Sequence, residues 1–110
     1  MAAPVNDDLL EELVRRIVSA VHPDRIILLG FPARGESETD SDIDILVVGP
    51  DGANRRETAR TVYRHLLCFG IATDVVAATP ELLKRYGSIS AFVYNKALSD
   101  GRELYRAAMA

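Results

Sequence analysis

Three apolar runs of five to seven residues, Arg25 to Leu29, Asp42 to Val48 and Thr73 to Ala77, alternate along the chain with stretches of helical periodicity. Runs this short and this rich in isoleucine and valine are strand-length and too brief for helices. Strands that alternate with amphipathic helices specify a sheet with helices packed on it, so the expected class is α/β (α+β). A chain of 110 residues has room for one such core, and residues 1–110 are read as a single domain.

The first helix is written by Leu9, Leu10, Leu13, Val14, Ile17, Val18 and Val21, with Glu11, Glu12, Arg15 and Arg16 on the opposite side. Asn6 is its expected N-cap, and His22-Pro23 ends it. Gly30 stops the first strand, and residues 31–41 have loop chemistry: Pro32, Gly35, three acidic residues and three hydroxyl residues. After a turn at Gly49 to Gly52, a second amphipathic helix is predicted over residues 54–69, around Ala59, Val62, Leu66 and Leu67. Cys68 falls in that apolar stretch and is expected to be a buried, inert thiol. As the single cysteine it can form no intramolecular disulfide and no cysteine-rich zinc site. Thr79 and Pro80 predict a helix start, with helix continuing to Leu98 across a break near Gly87, and Glu103 to Tyr105 form a short extended tail.

Net charge is −3 and the pI is near 5.3, so no overall positive field gathers DNA or RNA by counterion release. A nucleotide ligand stays compatible with this balance, because a metal ion can supply the charge its phosphates need. No basic segment followed by an apolar run marks a signal peptide, and the longest apolar runs, Ile26 to Gly30 and Ile43 to Gly49, are far below the roughly 18 to 20 residues that span a bilayer. A cytoplasmic location with no membrane association is the default expectation.

Chemistry concentrates in Asp42 and Asp44. Alternation along a strand puts both on one side, about 7 Å apart at Cα, while Ile43 and Ile45 face the core. Two like charges that share a surface repel unless a cation sits between them. A hard divalent ion with oxygen ligands answers that repulsion, and magnesium suits one or two carboxylates together with phosphate oxygens. Asp74 opens the third strand in the same polar-then-apolar manner and joins the cluster if that strand pairs with the second. Three carboxylates could hold two ions roughly 3.5 to 4 Å apart, the spacing that clamps the attacking and leaving oxygens of an in-line phosphoryl displacement. An Asp-x-Asp alone is more often a solvated strand end. Here a strand, Gly30 and a loop with Gly35 lie just upstream, where backbone N–H groups could approach phosphates.

The block Leu28-Leu29-Gly30-Phe31-Pro32-Ala33-Arg34-Gly35, followed by Ser41-Asp42-Ile43-Asp44-Ile45-Leu46-Val47, resembles the minimal nucleotidyltransferases of the DNA polymerase β superfamily. The family pattern is Gly-Ser, about ten residues, then Asp-x-Asp, and Gly30 to Asp42 keeps that spacing. Thr73-Asp74-Val75-Val76 matches the third carboxylate, and Ala97 to Tyr105 is similar to the closing segment. The resemblance implies a nucleotidyltransferase fold with a small mixed sheet. It also implies catalytic and metal-binding roles for Asp42, Asp44 and Asp74, with two Mg2+ ions, and a nucleotide-binding loop containing Gly30, Phe31, Arg34 and Ser41. The implied reaction transfers a nucleoside monophosphate, usually AMP from ATP, to an acceptor hydroxyl with release of pyrophosphate, and Asp74 helps to activate the acceptor. One departure stands out: the family's phosphate-binding serine is Phe31 here, which removes a hydroxyl donor and leaves only the backbone N–H. Ser37 or Ser41 is the nearest substitute.

In the family this small domain commonly accompanies a helical HEPN ribonuclease toxin and neutralises it by adenylylating a tyrosine, so the resemblance implies an antitoxin that associates with its toxin. Larger relatives carry an added helical domain, for which 110 residues leave no room, and a partner is expected to supply that surface. Two alternatives stay open: an antitoxin of the same fold that acts by contact alone, and a nucleotidyltransferase for a small molecule or an RNA end. Arg34 reads equally as a fork for triphosphate oxygens or as a solvated loop residue. Lys84 and Arg85 read chiefly as a solvated helix face, His22 and His65 as structural residues, and Tyr63, Tyr86, Tyr94 and Tyr105 as core or interface residues.

Overall fold

Alternation of strands and helices produces the element order α1 (Asp7–Val21), β1 (Arg25–Gly30), β2 (Ile43–Val48), α2 (Arg55–His65), β3 (Thr73–Ala78), α3 (Pro80–Tyr86) and β4 (Arg102–Arg106). The computed structural model describes residues 7–30, 43–70, 72–87 and 101–108. The expected N-cap Asn6 and the helix expected beyond Gly87 lie outside these residues.

The four strands of the described residues form one mixed sheet in the order β3-β2-β1-β4. β1 runs antiparallel to both β2 and β4, whereas β2 and β3 are parallel. The parallel pair needs a crossover, and α2 provides it. Residues read from sequence as a tail pair with β1 as a full edge strand, Arg102–Arg106.

The period of two divides the core into two layers. Ile26 and Leu28 of β1 and Ile43, Ile45 and Val47 of β2 pack under α1 and α2 with Leu10, Leu13, Ile17, Val62 and Phe69. Ile27, Leu46, Val48 and Ala78 face the other way, where Leu83 of α3 covers them. β2 therefore contributes to both layers, and every residue of it is buried except Asp44. No helix among the described residues is long and apolar enough to cross a membrane.

Capping fixes where α2 and α3 begin. Asn54 accepts a hydrogen bond from the Glu57 N–H at 3.0 Å, and Thr79 accepts one from the Leu82 N–H at 3.3 Å, with Pro80 in the first turn of α3 as its sequence predicts. A carboxylate oxygen of Asp51 accepts the Glu81 N–H at 2.9 Å and ties the turn after β2 to α3.

The end of α2 departs from expectation. Helix stops at His65 rather than continuing to residue 69, and Leu67 is 71% exposed. Cys68, expected to be buried, is exposed in a left-handed turn with φ of 65°. The physical reason lies in Phe69, which must turn back into the α1–α2 layer; the reversal points Cys68 outward. Arg16 of α1 secures the reversal, donating to the Leu67 carbonyl at 3.4 Å with its guanidinium 5.3 Å from the centre of the Phe69 ring.

Candidate functional site

Asp44 is half-buried in a strand otherwise filled with Ile, Leu and Val. A carboxylate there is costly for packing alone, and such positions are kept where the charge has a use. Its backbone pairs with Gly30 on one side and with Asp74 on the other. Gly30, Asp44 and Asp74 thus form a row across the adjacent strands β1, β2 and β3, at the C-terminal end of β1 and the N-terminal ends of β2 and β3. Register partners in a parallel pair project to the same face, so the two carboxylates leave the sheet side by side, from Cα atoms about 5 Å apart. That face is the one α3 covers further along, at Val48 and Ala78.

Two features sharpen the geometry. The β1–β2 register shifts between Leu28 and Gly30, so a bulge at Leu29 brings Gly30 rather than Leu29 opposite Asp44. Asp74 is exposed and Asp44 is not, so one carboxylate of the pair opens to solvent while the other is held by the sheet.

Residues 8–102 match the nucleotidyltransferase domain family. The chain belongs to that family. No curated protein and no solved structure matches it. The mixed sheet and the helices packed on it, four strands and three helices among the described residues, are consistent with the nucleotidyltransferase fold. Nucleotidyl transfer from a nucleoside triphosphate is the general activity that membership supports, and such domains generally use a divalent metal.

Within this nucleotidyltransferase domain, the expected site residues divide into two groups. Gly30, Asp44 and Asp74 are brought together as described. Asp42, Phe31, Arg34 and Ser41, together with Ser37, lie outside the described residues. Among the described residues no group of three or more His, Cys, Asp or Glu gathers as a metal cluster; Asp42, the third expected carboxylate, is not one of those residues. The donor chemistry present, two carboxylates on one face beside a glycine backbone, fits a hard divalent cation that prefers oxygen.

Other candidates resolve into structural roles. Arg85 pairs with Glu81 at 2.7 Å on the solvent side of α3, and Lys84 is exposed beside it. His65 Nδ1 lies 3.0 Å from the Thr61 carbonyl within α2. Tyr105 and Tyr86 pack against the two core layers, whereas Tyr63 is 45% exposed and its hydroxyl accepts the Val75 N–H at 2.9 Å. Tyr94 lies outside the described residues. Sequence periodicity could not signal the Tyr63 contact, which depends on where α2 lies along the edge of β3.

Proposed function

We propose that this nucleotidyltransferase transfers AMP from ATP to a hydroxyl of a partner protein in a Mg2+-dependent reaction, and that it serves as the antitoxin that adenylylates and neutralises a HEPN ribonuclease toxin. The observation that carries the reading is the side-by-side placement of Asp44 and Asp74 next to Gly30. In this reading Asp44, with Asp42, holds the cation side of the site, and exposed Asp74 receives the proton of the acceptor hydroxyl as its oxygen attacks the α-phosphorus of ATP and pyrophosphate departs. A bound divalent ion supplies the positive charge that offsets the phosphates. The negative overall charge supports a protein acceptor over a long RNA.

Phe31 favours one second reading, an antitoxin that works by contact alone, because the sequence carries phenylalanine at the position of the family's phosphate-binding serine and so lacks that hydroxyl donor. One experiment separates the two. The chain is incubated with the protein encoded next to it, ATP and Mg2+, and the neighbour is weighed by mass spectrometry. A gain of one AMP supports transfer. An unchanged mass with every nucleotide and metal, together with tight complex formation, supports contact alone. Phe31→Ser should raise the yield of transfer if the ring obstructs phosphate binding.

A further inference from the structure

β3, which carries Asp74, has β2 on one flank and no strand among the described residues on the other. The Ile43 N–H donates to the Ala72 carbonyl at 2.9 Å and the Gly49 N–H to the Ala78 carbonyl at 2.8 Å. In a parallel ladder this phase turns the N–H and C=O of Asp74 toward β2 and the N–H of Val75 outward. The peptide unit that joins Asp74 to Val75 therefore has its carbonyl on the β2 side and its N–H on the outer flank. That N–H donates to the Tyr63 hydroxyl at 2.9 Å, so the bond on the outer flank comes from α2 and not from another strand.

A planar peptide unit bonded on both sides fixes ψ of Asp74, while the ladder fixes its φ, and these two angles set the direction in which the Asp74 side chain leaves the strand. Strand edges open readily when only one flank is bonded. Tyr63 has the anchorage to resist that opening, because it follows Val62, which is fully buried in the α1–α2 layer. Tyr63 itself is 45% exposed, so its hydroxyl bond is a larger part of what it contributes than burial of its ring.

We infer that Tyr63 is a positioning residue for Asp74: its bond to the Val75 N–H holds the Asp74 carboxylate beside Asp44 and so raises the affinity of the pair for a divalent cation. The inference rests on the reading of Asp44 and Asp74 as cation ligands. Partners of this kind strengthen a metal site by orienting a ligand rather than by touching the ion. Without the hydroxyl, water satisfies the Val75 N–H but does not fix its place. The carboxylate must then be ordered as the ion binds, and that ordering lowers the affinity.

The test titrates the full chain with Mn2+, an oxygen-seeking stand-in for Mg2+, and reads free Mn2+ by electron paramagnetic resonance. Tyr63→Phe should weaken binding about tenfold, the lower end of the range for a lost outer partner of a metal ligand. Ile17→Val, in the fully buried floor of the α1–α2 layer, controls for stability alone: it should lower the melting temperature by a similar amount and leave Mn2+ binding unchanged. Coupling between two events is reciprocal, so Mn2+ should slow amide hydrogen exchange at Val75 in the parent chain. Equal affinity in Tyr63→Phe and the parent, as large a loss in Ile17→Val as in Tyr63→Phe, or Val75 exchange indifferent to Mn2+ would each overturn the inference and leave the cation site standing. No binding by the parent, or binding by Asp74→Asn as tight as the parent's, would overturn the cation reading and the inference with it.

Discussion

Asp74 and Asp44 carry the same functional group at the same level of neighbouring strands, yet substitution should read differently at each. Asp74 is exposed, so Asp74→Asn removes a charge that packing does not need. Stability in urea should stay within about 0.5 kcal/mol of the parent, while the proposed nucleotidyl transfer should be lost. Retained transfer in Asp74→Asn would remove this carboxylate from the proposed chemistry. Tyr63 gives a second residue-scale test. Tyr63→Phe leaves the Val75 N–H without its acceptor at 2.9 Å, and a loss of about 1 kcal/mol in denaturant melts is expected for that bond. Exchange of the Val75 amide should accelerate in parallel. The candidate site was legible in sequence as far as alternation reaches: Asp44 stands between Ile43 and Ile45, and Asp74 opens the apolar run Val75 to Ala78.

At the scale of elements, β4 illustrates a strand held at its edge by ions. Glu103 lies between Arg106, which donates to it at 2.9 and 3.1 Å, and Arg25 of β1, which donates at 2.8 Å. Hydrogen bonding from Arg106 is the largest influence and holds the Glu103 carboxyl below its ordinary value; burial opposes this, and Arg25 reinforces it. The sign follows from linkage. A carboxyl with a lowered folded-state pKa contributes stability that is fully present above its unfolded value and is lost as pH falls through the folded one. Melting temperature should therefore drop as pH is lowered below about 4.5, and Glu103→Gln should flatten that part of the profile. An unchanged profile in Glu103→Gln would assign acid sensitivity to other carboxylates. No periodic signal announced β4 as a partner of β1, because a five-residue strand at the edge carries too few apolar residues to specify its neighbour.

For the whole molecule, the decisive feature is that one strand serves two layers. Ile45 packs beneath α1 and α2, and Leu46, the next residue, packs beneath α3. Loss of either layer exposes β2, so the domain should unfold in one transition. Ile45→Ala and Leu46→Ala should each cost about 2–5 kcal/mol and lower that same transition, whether it is followed by circular dichroism or by tyrosine fluorescence. Two separated transitions in either variant would show that the layers fold independently.

Local chemistry determined the elements. Apolar spacing at 3.6 and 2 residues, Pro80 after Thr79, and Gly30 after an isoleucine-leucine run act over a few residues, and they suffice to place α1, the starts of α2 and α3, and the strand segments β1, β2 and β3. Tertiary structure alone decided strand order, the parallel pairing that sets Asp74 beside Asp44, the capture of β4 by β1, and the turn that exposes Cys68. These outcomes compare the burial of surfaces distant in sequence: Phe69 against Arg16, Leu83 against Leu46, Leu104 against α1. Such comparisons are settled only when the layers close on one another, because hydrophobic burial is non-directional and depends on which surfaces meet rather than on which residues are adjacent.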